Sequence, residues 1–369
     1  MSHVSAARYA LLRHLATFGK GELDKPTGVA VRYDGTVLVT DGDVKEFACS
    51  GTEPPVYKLS KTWFAPPGAS PYGGGHRKSR ARHVAVTSSG RATVSEEGAD
   101  PGSGWYRLTQ PPPGADRVPP DEKHRWVSWG RSVETEEEFG ALAVDREATF
   151  VASGTWEREP GHRERRDGIC WYINDTRMGC FGRSVFETVP RMTWPVVTAL
   201  AVDNHGTVFA GYKNRRHDFR RVREWSAAGS SFIAAFPVGR KEKGCRERGT
   251  LHTRLAYGEE VEVFGKGVVD EVNGIATDAA GNLLVLDAGG RVHKVHVFSP
   301  QSAGGYAHAC SVQLRCTTNP SAIAVDSEGR VFVADKGFGE EAVHVLSATA
   351  LDVARWQRRS AAAGGAARR

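Results

Sequence analysis

No stretch of this 369-residue chain approaches the roughly 20 apolar residues that a bilayer-crossing helix needs, so membrane insertion is not expected. Its apolar runs are short and broken by Gly or charge. No CxxC pair occurs among Cys49, Cys170, Cys180, Cys245, Cys310 and Cys316, which argues against a zinc site of the usual spacing. No secretory h-region precedes them. They read as reduced thiols, with a Cys310–Cys316 bridge across one turn as the alternative. HExxH, a GxSxG strand–helix elbow and GxxxxGK[ST] are also missing, and the thirteen histidines are scattered. No nucleophile, base and oxyanion site can be assembled from the pattern, so neither catalysis nor a cofactor is expected.

A basic body is lacking too, despite a net charge of +6. Residues 1–20 hold Arg8, Arg13 and Lys20 and no acid, and residues 350–369 hold five Arg against Asp352, so the ends carry +3 and +4. That leaves about −1 for residues 21–349. The acid-poor start allows a mitochondrial transit peptide. The alternative is a strand, YALLRHLATFG, in an intracellular, cytoplasmic protein.

What the chain does have is turn residues, 42 Gly and 18 Pro, and a repeat. Six segments read as apolar strand, polar turn, apolar strand: 27–41, 82–96, 140–154, 198–212, 273–287 and 321–335. Asp145, Asp203, Asp278 and Asp326 follow the first strand, where a carboxylate can accept from its own downstream N–H groups. Gly35, Gly90, Gly206, Gly281 and Gly329 stand where the chain reverses. A small residue recurs mid-strand (Ala30, Ala85, Ala143, Ala201, Ala276, Ala324), which implies close packing against it. Further strand-like runs follow each hairpin. The pattern predicts an all-β, six-bladed β-propeller of four-stranded antiparallel blades. Residues 15–357 form the ring, 1–14 an N-terminal extension and 358–369 a disordered Arg/Ala/Gly tail. Either YALLRHLATFG or LDVARWQ completes the last blade.

LATFGKGELDKPTGVAVRYDGTVLVTD and NPSAIAVDSEGRVFVADKG resemble NHL repeats. The first, fifth and sixth copies resemble the consensus most, and the second has Thr87 in place of the Asp. The resemblance implies architecture rather than activity.

Within each predicted blade, strands a to d meander outward, so b–c loops and d–a connections share one face. The insertions gather there. Segment 65–82 supplies Arg77, Lys78, Arg80 and Arg82; segment 155–168 supplies Trp156, Arg165 and Arg166; segment 211–221 supplies Tyr212, Arg215, Arg216, Arg220 and Arg221. Mixed charge with aromatics suits a protein partner, so the expected function is a non-catalytic scaffold docking a protein through this face. One alternative is single-stranded RNA binding, for which the basic clusters would have to join into one positive track. The other is a metal-dependent hydrolase like the SMP30 or strictosidine-synthase propellers. For it Asn273, in an Asn-Gly step beside the innermost strand, is the weak ligand candidate and His83 the neighbouring imidazole.

Overall fold

The computed structural model describes residues 8–50, 55–63, 80–87, 90, 92–97, 104–108, 137–145, 148–159, 162–173, 176–181, 193–217, 224–226, 231–240, 255–257, 262–337 and 339–347. After a 3-10 turn, Arg8–Leu11, every regular element is a strand. The first is β1 (Arg13–Phe18), followed by β2 (Gly28–Val31), β3 (Val37–Thr40), β4 (Val44–Ser50) and β5 (Val56–Trp63), which form one sheet in chain order. The next sheet has three strands, β6 (Arg80–Val86), β7 (Ala92–Glu97) and β8 (Gly104–Leu108). A four-stranded sheet follows: β9 (Glu137–Asp145), β10 (Ala148–Glu159), β11 (His162–Ile173) and β12 (Thr176–Phe181).

Then come β13 (Thr193–Val202), β14 (Val208–His217), β15 (Glu224–Ser226), β16 (Phe232–Phe236), β17 (Val238–Arg240), β18 (Leu255–Tyr257) and β19 (Glu262–Phe264). In that group β13, β14, β16 and β19 pair in order, β15 adds to β14, and β17–β18 is a separate ribbon. The remaining strands are β20 (Val272–Thr277), β21 (Leu283–Asp287), β22 (Lys294–Pro300) and β23 (Tyr306–Gln313), then β24 (Pro320–Val325), β25 (Val331–Asp335) and β26 (Ala342–Ser347). All pairings are antiparallel, and the last three strands are completed by β1, in the order β1-β26-β25-β24. The N-terminal segment therefore supplies the outermost described strand of the final sheet, and LDVARWQ lies outside the described residues.

This is a propeller. β2, β6, β9, β13, β20 and β24 each lie beside the next, and β24 lies beside β2. Four sheets have the four strands expected of a blade; the other two repeat copies form the three-stranded and five-stranded sheets among the described residues. The core sits between neighbouring sheets. One apolar cluster joins Phe150 and Ile169 to Val208, Tyr212 and Phe236; another joins Phe18, Val37 and Phe47 to Phe332 and Val345. Burying each such side chain contributes about 1.5–3 kcal/mol. Of the repeated alanines, Ala30, Ala143, Ala201, Ala276 and Ala324 are buried, as the pattern requires.

The turns form as the repeat predicts. Asp203 Oδ1 accepts from His205 N and Thr207 N, each at 2.9 Å, and Asp278 Oδ1 accepts from Ala280 N and Asn282 N, each at 2.9 Å. Asp326 Oδ1 repeats this with Glu328 N at 3.0 Å and Arg330 N at 2.8 Å. Gly35, Gly90, Gly206, Gly281 and Gly329 all have φ between 78° and 83°, the left-handed region that side chains avoid.

Candidate functional site at the inner rim

Equivalent repeat positions in or beside four of the innermost strands form one rim, because the side chain at each reaches the backbone of the following sheet. Thr27 Oγ1 donates to Arg82 O, and Thr198 Oγ1 to Val272 O, both at 2.6 Å. Asn273 Nδ2 donates to Pro320 O at 3.0 Å, and Ser321 Oγ donates to Pro26 O at 2.6 Å, joining the last sheet to the first. These bonds require neighbouring backbones to approach closely. A Cβ on Gly28 would stand 3.0 Å from both Arg82 O and His83 Cα, and one on Gly274 would stand 3.1 Å from Ile323 N. The Asn-Gly step at Asn273 thus belongs to a packing device in which the side chain latches the next sheet. Gly28→Ala is expected to destabilise the protein by about 1–3 kcal/mol, because the new Cβ would stand 2.6 Å from Thr40 Oγ1, itself hydrogen-bonded to Arg82 O, and 3.0 Å from the Arg82–His83 backbone. Urea unfolding measures this; a variant as stable as the parent would show that the strands part freely.

Against this rim lie three basic side chains. Arg82 and His83 are the third and fourth residues of the innermost strand β6. Lys336 follows β25, whose last residue Asp335 pairs with Pro320 at the start of β24, so it emerges at the same end of the strands. All three are partly buried. Burial, then the charges of Arg82 and Lys336, push the His83 imidazole down to about 4. The Lys336 ammonium is also held below its ordinary range, by burial and by Arg82. At neutral pH the arrangement is a neutral imidazole in the field of two cations.

In three of the sheets one carboxylate holds the connection at this face. Asp287 accepts from Asp270 N (3.0 Å), Glu271 N (2.8 Å) and Gly289 N (2.9 Å); Asp335 accepts from Thr318 N and Asn319 N, both at 2.7 Å, and Gly337 N at 3.1 Å. Each faces a base on the adjacent strand: His296 for Asp287, His344 for Asp335, and Lys45 for the corresponding Asp41. The sequence reading missed these pairs. Their signal is the shared VHV of KVHVFSP and AVHVLSA, a histidine inside an apolar run nine residues after the Asp.

The loop-face candidates fare differently. Tyr212 is corrected: it is fully buried in β14 and stacked on Phe232, with ring centroids 4.9 Å apart. Trp156, Arg165 and Arg166 do not sit in a loop; they lie on the long β10–β11 hairpin, where Trp156 pairs with Arg165 and Thr155 with Arg166. Arg215 and Arg216 lie on β14, between Trp194 and Thr193 on one side and Ser226 and Trp225 on the other. Arg80 begins β6. Arg77, Lys78, Arg220 and Arg221 lie outside the described residues. Only Arg82 of this set belongs to the rim cluster. Cys49, Cys310 and Cys316 are free thiols, so no Cys310–Cys316 bridge forms. No helix among the described residues is long and apolar enough to cross a membrane.

No protein-family model and no curated protein matches the chain. Solved structures do. The PQQ-bound aldose sugar dehydrogenase of Streptomyces coelicolor is 14% identical, with 91% of this chain and 97% of that one covered and a TM-score of 0.50. A gluconolactonase from Xanthomonas campestris is 14% identical over 89% of this chain and 87% of its own, with a TM-score of 0.46. Regucalcin from Agrobacterium tumefaciens, a calcium-binding protein, is 12% identical over 88% of this chain and 90% of its own, with a TM-score of 0.44. The expectations of a non-catalytic scaffold and of no enzyme are corrected by the first of these. The same ring architecture is found in a named dehydrogenase, so the fold gives no reason to deny catalysis. At such identities the likeness establishes the fold: the chain is an all-β propeller.

Proposed function

We propose that the chain is a propeller enzyme, six-bladed and built from NHL-like repeats, that hydrolyses a small anionic ester or lactone at the inner rim. Arg82 and Lys336 draw the anionic group in, and His83 accepts the proton. The observation that carries this is the neutral His83 imidazole placed in the field of two cations. Anion binding cancels that field, so the imidazole becomes a better base when substrate is present. In the chemical step a water oxygen bonds to the acyl carbon, its proton passes to His83, and the leaving alkoxide takes that proton back.

The hard cation that the lactonase-like alternative would require does not fit the described rim. Calcium wants several carboxylate or carbonyl oxygens. Here the hydroxyls of Thr27, Thr198 and Ser321 and the amide nitrogen of Asn273 donate to backbone. Arg82 and Lys336 add charge of the repelling sign.

The test compares mono-p-nitrophenyl glutarate with uncharged p-nitrophenyl acetate, read by nitrophenolate release. Saturable turnover favouring the glutarate is expected. His83→Gln should lower kcat by about 100-fold or more, and Lys336→Met should raise KM for the glutarate while sparing the acetate. Equal rates for parent and His83→Gln would overturn the proposal.

A further inference from the structure

We infer that the outer edge of the final sheet holds a site for a thiolate-binding divalent cation of the zinc type, formed by His14, Cys316 and His344. One ligand atom from each lies within 4.8 Å of the others. The residues come from three separate places: His14 from β1, His344 from β26, and Cys316 from the connection that follows β23. Tetrahedral zinc, with bonds of about 2.0 Å to nitrogen and 2.3 Å to sulfur, sets its ligands about 3.3–3.6 Å apart. A movement of roughly 1 Å closes the difference, and His14, which is exposed, has the freedom to make it.

His344 is buried, and its Nε2 stands 3.6 Å from Asp335 Oδ2, so a carboxylate orients the ring from behind. Asp335 is itself fixed by its three backbone N–H groups. Thr17 Oγ1 lies 2.7 Å from His14 Nε2 and 3.1 Å from His344 Nδ1, so it holds the two rings beside each other, and a cation bound at those nitrogens would replace these two hydrogen bonds.

The neighbouring sheet provides an internal control. There Asp287, His296, Ser311 and His308 repeat the frame: His296 Nε2 is 3.1 Å from Asp287 Oδ2, and Ser311 Oγ is 2.8 Å from His296 Nδ1 and 2.9 Å from His308 Nε2. His296 and Ser311 are register partners, as are His344 and Thr17. The shared clasp on the d–a connection aligns Thr318 and Asn319 with Asp270 and Glu271. Two residues upstream, Cys316 therefore corresponds to Val268. Two histidines and a hydroxyl are thus the repeat's ordinary framework. The thiol is the departure, and it supplies the ligand that a soft-tolerant cation selects. This site is distinct from the rim, since His14 is on an outermost strand and His83 on an innermost one.

The experiment is cobalt titration of the full chain after chelation, read by the thiolate-to-cobalt charge-transfer band, with bound zinc measured by elemental analysis after buffer exchange. About one cation per chain with that band is expected for the parent. Cys316→Val, which copies the neighbouring sheet, should lose the band and the zinc while melting at the same temperature as the metal-free parent. His14→Ala should keep the thiol but weaken binding at least 10-fold. Equal zinc content in parent and Cys316→Val, or a parent without the cobalt band, would overturn the assignment.

Discussion

Tyr9→Ala is expected to destabilise the protein by about 3–5 kcal/mol, the range for removing a large aromatic side chain from a core. Tyr9 is fully buried, in one cluster with Leu12, Leu284, Leu314 and Ile323. Its hydroxyl donates to Asp278 Oδ2 at 2.8 Å, and the Arg8 guanidinium lies over its ring, 4.8 Å from the centroid. Burial, then the Asp278 charge, hold the phenol well above its usual ionisation range, so it remains a donor at any working pH. The 3-10 turn thereby ties the chain start to the turn after β20, just before β1 adds to β26. Truncating Tyr9 opens a cavity and loosens that closure together. Tyr9→Phe, which keeps the ring, should cost only about 1 kcal/mol. Urea denaturation of both variants separates the two contributions; a loss below about 1 kcal/mol for Tyr9→Ala would mean that this segment does not hold the ring.

Asp287→Ala should cost a similar amount, about 3–5 kcal/mol, because it strands a set of buried partners rather than leaving a void. Three backbone N–H groups and His296 lose their acceptor at a residue that is only 2% exposed. The effect has a pH signature. Burial works against ionisation of this carboxyl, but His296 and the three N–H groups outweigh it and hold it below its ordinary value of 3.8. A depressed carboxyl contributes its full stabilisation above the unfolded value and loses it as pH falls through the folded one. The stability gap between parent and Asp287→Ala should therefore be widest near neutrality and shrink below about pH 4. A gap independent of pH between 7 and 3 would assign the loss to packing alone.

The parts of this fold that show in the sequence are those governed by neighbours in the chain. An Asp that accepts from its own N–H groups two and four residues on, followed by a Gly with positive φ, leaves the same trace in the fourth, fifth and sixth copies, and those three turns form as read. Long-range pairings leave no such trace. Thr17 meets His344 across 327 residues, and the spacing allowed LDVARWQ in the same place. Tyr212 was misread because GYKNRRHDFRR is polar as a string. On a strand, alternate residues face opposite ways, and β14 extends far enough into that string to carry Tyr212 into the core while Lys213 meets Glu271. The rim cluster was half visible: Arg82 and His83 are adjacent in sequence, but Lys336 joins them only because the ring brings the ends of separate sheets together. Catalysis was dismissed for the same reason, since a site made of single residues from distant repeats has no contiguous motif.

Selective observation of the His83 imidazole by NMR, with histidine labelled and the signal assigned through His83→Gln, goes straight to the rim chemistry. Titration near 4 in the free protein is expected, with an upward displacement when glutarate is added and none when it is added to Lys336→Met. An imidazole that titrates near its ordinary 6.5 and ignores glutarate would contradict the proposed site.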